Sequence, residues 1–184
     1  MDVDVSVESG ERRLNQWVGL TVLILSVIMG MAKIKDDNIV QAMQQAKMQA
    51  LDTWNEYQST RLKRHQLENT DLLISALSSA APAQQARATL ASQMAHYDKE
   101  VPQLRQTAQA QDALYDKLNY RDDQFDLADA LLSIAIAMAG VTALTHLRWL
   151  MAVSWVFGAT GTAFVVAAFA GLPLHPDWII AVLT

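Results

Sequence analysis

Apolar residues crowd the two ends of this chain, and polar residues fill its middle. Residues 14–32 carry no charge. At about 1.5 Å of rise per residue, roughly 20 such residues cross a bilayer core of about 30 Å. Trp17 stands at one end, where an amphipathic ring favours the interface, and Lys33 and Lys35 stand at the other, where their charged heads reach water. The preceding residues, 1–13, form an acidic tail without the basic start of a secretory signal, and no small-residue cleavage site follows the run. Residues 14–34 are therefore expected to be an uncleaved anchor. A second apolar block is long enough for two crossings, 127–147 and 149–170. Arg148 is the only strongly charged residue between Asp129 and Asp177, and a charge is costly at the bilayer centre, so it marks a tight turn at the interface. The tail 171–184 is too short to span again. Pro173 and Pro176 stop the helix, and Asp177 and Trp178 suit one interfacial turn.

The middle reads as helix. Between Gly30 and Gly140 there is no glycine, and the only prolines are Pro82 and Pro102. Ala, Gln, Leu, Met and charged residues dominate, all strong helix formers. Ser78, Ser79 and Pro82 mark the one good break. Residues 35–126 are therefore predicted to be an extramembrane antiparallel helical hairpin, with legs at 38–79 and 83–126, a turn near 78–83 and a kink near 102. The second leg carries a seam spaced four and three apart, apolar except at Gln111: Leu90, Met94, Tyr97, Val101, Leu104, Ala108, Gln111, Tyr115 and Leu118. That is a coiled-coil-like stripe. The first leg is less regular, with Ile39, Met43, Ala46, Ala50, Trp54 and Tyr57 on one side, a blur near Arg64, and a return at Leu67 and Ile74. Lys33 and Lys35 suit a helix C-terminus, Asp36 and Asp37 suit an N-terminus, and Asn38 with Gln41 resembles a capping pair. These fit a short break at the membrane surface, with one continuous helix as the alternative. The fold class expected is all-α: three transmembrane helices and the hairpin.

One stretch carries a resemblance. Residues 33–58, KIKDDNIVQAMQQAKMQALDTWNEYQ, with RLNQWVGLTV ahead of them, resemble a family of small bacterial membrane proteins known only as a domain of unknown function. The residues that carry it are Arg13, Leu14, Asn15, Trp17, Lys35, Asp36, Asp37, Asn38, Ile39, Gln41, Ala42, Trp54, Tyr57 and Gln58. The resemblance implies one anchor, a helical insert and two further crossings in a bacterial membrane. It supplies no activity.

Charge and composition narrow the function classes. Fourteen Lys and Arg against 19 Asp and Glu leave a formal charge of −5, which argues against a nucleic-acid partner. The absence of cysteine excludes disulfides, thiolate metal sites and cysteine nucleophiles. The four histidines, His65, His96, His146 and His175, lack the spacing of a helical zinc site. His65 and His96 fall on opposite legs of the hairpin and can face each other, but read more simply as surface residues. Phosphate-binding glycine loops and serine-nucleophile contexts are missing, so no cofactor and no catalysis are expected.

Carboxylates near the membrane form the most informative cluster. Asp122, Asp126 and Asp129 recur at i, i+4 and i+7 on one helical face, and Asp36 and Asp37 lie on the same side of the membrane. In an oligomer these form a cation-attracting acidic ring or a weak divalent site. The simpler alternative is capping or solvated aspartates offset by Lys117 and Arg121. Small residues recur every four positions in the last two crossings, Ala135, Ala139 and Ala143 in one, Ala159, Ala163, Ala167 and Gly171 in the other. Such stripes let helices approach closely, within one chain or between subunits. Near the membrane Lys33, Lys35, Lys117 and Arg121 stand against Arg12, Arg13 and Arg148, a near balance that decides no side; the hairpin is expected in the cytoplasm. Two functions follow as expectations. One is a non-enzymatic, homo-oligomeric assembly protein of the bacterial inner membrane, its partners being the lipid bilayer, further copies of itself and a protein docked on the hairpin. The other is an oligomeric cation channel or transport accessory subunit with the acidic ring at its mouth.

Overall fold

Three helices account for the described chain: α1 (Asp2–Leu77), α2 (Ala81–Thr145) and α3 (Arg148–Ala170). The structure is a computed structural model that describes the backbone of residues 2–174 and the side chains of residues 10–174. No strand occurs among the described residues. Each helix contains a segment long and apolar enough to cross a membrane, so this is a multi-pass membrane protein. His175, Asp177, Trp178 and the interfacial turn expected around them lie outside the described residues.

The helix ends follow local chemistry. Residues 78–80 separate α1 from α2, and the Ala80 N–H donates to the Ser78 hydroxyl at 3.2 Å. Pro82 then sits in the first turn of α2, where its missing N–H costs nothing. Between α2 and α3 the turn is two residues long, with His146 at φ 53°, a left-handed conformation. Gly171 closes α3 at φ 67°, and the Leu172 N–H bonds back to the Ala167 carbonyl at 2.9 Å. That pairing requires a left-handed residue, which glycine adopts without a steric penalty.

The helices run on across several of the expected segment boundaries. α1 is unbroken through residues 33–38, α2 is unbroken through 126 and 127 and through Pro102, and helix already covers residues 2–13. The charges read as a helix end serve a continuing helix equally well. Lys33 Nζ lies 2.8 Å from Asp36 Oδ2 and 3.6 Å from Asp37 Oδ1, the i+3 and i+4 neighbours. Asn38 does not cap forward; its amide donates back to the Ile34 carbonyl at 2.9 Å.

The described chain divides into two compact units, one built from residues up to Gln41 together with those from Lys117 onward, the other Ala42–Asp116. In the first unit small residues are packed inside together with Phe125, Leu132 and Met151, and many large residues face outward. Ala128, Ala135, Ala139 and Ala168 are fully buried, whereas Leu20, Leu23, Val27, Met31 and Val156 are exposed. A Cβ at Gly158 would stand 3.0 Å from a Leu25 methyl, and one at Gly161 3.0 Å from Leu132 Cγ. The buried Ser154 hydroxyl donates to the Ala135 carbonyl at 2.7 Å, tying α3 to α2. This distribution suits hydrocarbon as solvent, where helices gain by close approach and large side chains face lipid.

In the second unit α1 and α2 meet through pairs whose numbers run in opposite directions. Lys47 lies over the Tyr115 ring, the Trp54 indole donates to Asp112 at 2.9 Å, Arg64 bonds Asp98 at 2.6 Å, and Arg87 forks onto Asp71 at 2.8 and 3.1 Å. The stripe from Leu90 to Leu118 is half-buried throughout, with Ala108 fully buried. On α1, Met43, Ala46, Ala50 and Thr60 form the buried face. His65 and His96 do not face each other; each turns to a glutamate on its own helix, Glu68 and Glu100.

Candidate acidic site at the membrane boundary

Where the apolar segment of α1 gives way to its polar continuation, Asp36 faces inward. Only 4% of it is exposed. One carboxylate oxygen accepts from Lys33, while the other is buried with no hydrogen-bond partner. From α2, Asp122 comes within hydrogen-bonding reach of Asp36, and its own Oδ1 is likewise buried and unpartnered. Two ionised carboxylates present only acceptors to each other. A single proton on Asp122 turns the contact into a donor–acceptor pair.

Electrostatics favour that proton. Burial is the largest cause, followed by the hydrogen bond to Asp36 and the negative charges of Asp126, Asp36 and Asp123; together they raise the Asp122 carboxyl from 3.8 to about 7. Asp126 is also raised, first by burial and then by the Asp36 charge, with Lys33 opposing. Burial and the neighbouring carboxylates thus favour the protonated form of Asp122, the member of the cluster raised furthest.

The five aspartates singled out from the sequence fall unequally. Asp36, Asp122 and Asp126 are brought together from two helices, and Asp129, half-buried, adds its charge to Asp126. Asp37 is exposed and turned to Lys33. Among the described residues no group of three or more His, Asp or Glu side chains is arranged to hold a metal ion. Of the small-residue stripes, Ala135 and Ala139 are buried in the α2 packing face and Ala167 is buried on α3, whereas Ala159, Ala163 and Gly171 are exposed.

Beside the cluster, Gln124 is not singled out by the sequence, and Arg121 is read from it only as a charge that offsets the aspartates. Arg121 donates to the Ala168 carbonyl at 3.0 Å, and Gln124 donates to the Leu172 and Leu174 carbonyls at 2.8 and 2.7 Å. They bond carbonyls in the last turn of α3 and just beyond it, and the guanidinium offsets the negative end of that helix. Their i, i+3 spacing on one face of α2 was the available signal. Phe125, packed edge-on against Phe169 at 5.5 Å, closes the same junction.

A family model for a domain of unknown function, DUF4337, matches residues 14–171. The chain belongs to that family. The DUF4337 stretch includes Asp36, Asp122, Asp126 and both capping side chains, Arg121 and Gln124. No curated protein and no solved structure matches the chain.

Proposed function

We propose that this DUF4337 protein is a non-enzymatic, homo-oligomeric assembly protein of the bacterial inner membrane, with residues 35–126 as an extramembrane helical hairpin in the cytoplasm. The observation that carries the reading is an apolar stripe on the outer face of α1. Met48, Leu51, Leu62 and Leu72 fall on one face at positions that fit a heptad, with the polar Asn55, Gln58, His65 and Asn69 between them, and are 60%, 55%, 59% and 61% exposed. They lie opposite Met43, Ala46 and Ala50, which α1 buries in its own unit. A stripe of this kind in water favours a further helix, and a second copy presents the same stripe. The cytoplasmic side is carried over from the sequence expectation, and the bacterial membrane follows the family resemblance.

Full-length protein in nanodiscs, weighed by mass photometry, tests the reading. The wild type is expected as a defined oligomer, and Leu51→Lys with Leu62→Lys is expected to shift it towards monomer with helix content unchanged. A wild type that is monomeric at every concentration removes the proposal.

The acidic cluster favours a second reading, a cation-conducting oligomer with Asp36, Asp122 and Asp126 repeated around its mouth. The hydroxyls of the crossings weigh against it. Thr142, Thr145, Thr160 and Thr162 each donate to the carbonyl four residues back on their own helix. Planar-bilayer recordings of the assembled oligomer separate the two: cation current reduced by Asp126→Ala supports conduction, and silence removes it.

A further inference from the structure

Far along the apolar segments from the acidic cluster, two arginines from different helices converge. Arg13 precedes the apolar run of α1, Arg148 is the first residue of α3, and both line one cavity of about 390 Å³ together with Trp17 and Trp155. A Cβ placed on Gly10 would lie 3.5 Å from Arg148 Nη2, so this guanidinium reaches across to α1. Both arginines are exposed, and no acidic side chain among the described residues pairs with either. Two cations at one mouth repel each other, and each offers a planar fork of donors that matches a phosphate.

Trp155 forms the inner wall of this mouth. Its indole N–H is held by the Thr21 hydroxyl at 3.1 Å, and its ring meets Trp17 edge-on at 6.4 Å. Beyond it a groove of about 740 Å³ runs between α1 and α3, lined on one side by Ile24 and Ile28 and on the other by Ala159, Ala163 and Val166. The small side chains of Ala159 and Ala163 leave the room. From the level of Trp155 to Val166 the helix rises about 16 Å, which is half of a bilayer core of about 30 Å, the depth of one leaflet.

We infer that this is a binding site for one anionic phospholipid, with the phosphate between Arg13 and Arg148 and an acyl chain along the α1–α3 groove. Charge complementarity at the mouth selects a lipid over a further helix. An apolar helix would fill the groove and give neither guanidinium an anionic partner. The tryptophans stand at headgroup level, where indole rings settle, and basic pockets between transmembrane helices suit anionic headgroups. The site is independent of the oligomeric state.

Delipidated full-length protein, titrated in detergent with phosphatidylglycerol or phosphatidylcholine of identical chains and read by native mass spectrometry, tests the assignment. The wild type is expected to bind phosphatidylglycerol at least tenfold more tightly. Arg13→Gln with Arg148→Gln should abolish that preference and keep residual binding of both lipids. Ala163→Leu, which fills the groove floor, should weaken both lipids at least threefold. All three positions are exposed, and unchanged thermal melts confirm folding of the variants. Equal binding of the two lipids by the wild type overturns the inference, as does a preference that survives the double arginine variant. Displacement of phosphatidylglycerol by an equal concentration of glycerol phosphate would assign the mouth to a free phosphate and also overturn it. A change of oligomer mass in Ala163→Leu with lipid binding intact would give the groove to a second copy.

Discussion

Asp122 is costly to ionise because burial, the Asp36 oxygen it faces, and the charges of Asp126 and Asp123 all act in one direction, and Lys33 is engaged with Asp36. Its folded-state value of about 7 stands above the ordinary 3.8. Below about pH 4 both folded and unfolded chains hold this proton. Between there and about pH 7 the folded chain keeps a proton that the unfolded chain has released, so the stability of the fold falls as pH rises through that window. Asp122→Asn retains a donor towards Asp36 and removes the titration. Thermal melts in detergent at intervals from pH 4.5 to 8 should show the wild type losing stability relative to this variant, with most of the divergence complete near pH 7. Parallel profiles would show that Asp122 ionises without cost and that its partnership with Asp36 is wrong.

The buried face was legible in elements whose two sides differ in polarity, and it was not legible in elements apolar all round. The α2 stripe from Leu90 to Leu118 stood out because polar residues separate its positions, and those same positions are the less exposed ones. In α3 almost every residue is apolar, so period alone could not tell one face from another. The buried residues of α3 are Leu150, Met151, Ser154, Gly158, Gly161, Val165, Ala167 and Ala168, so Ala167 alone of the stripe Ala159, Ala163, Ala167 and Gly171 is buried. The acidic residues were legible as a group, but which carboxylate meets Asp36 depends on helix rotation, and Asp122 and Asp123 are indistinguishable by composition. The absent break at residues 33–38 has a similar cause, since Lys33, Asp36 and Asn38 suit both a helix end and a helix interior. Gly161 carries the sharpest consequence of the α3 face. A Cβ there meets Leu132 at 3.0 Å and the Ala128 carbonyl oxygen at 3.2 Å, and the backbone oxygen cannot swing aside. Gly161→Ala is expected to destabilise by about 1–3 kcal/mol, the range for overpacking. Gly30→Ala, with nothing within 4 Å of its added carbon, should be neutral or stabilising. Equal melting temperatures for the two variants would contradict this packing of α3 against α2.

At the scale of the whole molecule, one solvent does not suit both units. The first exposes Leu20, Leu23, Ile24, Val27 and Met31 along a single helix and keeps small residues inside, an arrangement stable only against hydrocarbon. The second pairs two helices through half-buried side chains, and its ion pairs, Arg64 with Asp98 and Arg87 with Asp71, face solvent and hold the legs together only weakly. Stability should therefore vary along α1 even though the helix is continuous. Backbone amides in hydrocarbon have no water to exchange with, whereas a two-helix pair opens most readily towards the turn that joins it. Hydrogen exchange on the full-length protein in nanodiscs should find peptides from residues 18–32 and 128–139 protected for hours. Peptides from residues 66–92, on both sides of the turn at 78–80, should exchange within minutes. Rapid exchange in 18–32 would show that water reaches this segment and would refute the bilayer assignment of α1. Protection of 66–92 equal to that of 18–32 would show that the outer apolar stripe is covered by further packing, and comparing that protection in wild type with Leu51→Lys and Leu62→Lys would trace the cover to Met48, Leu51, Leu62 and Leu72.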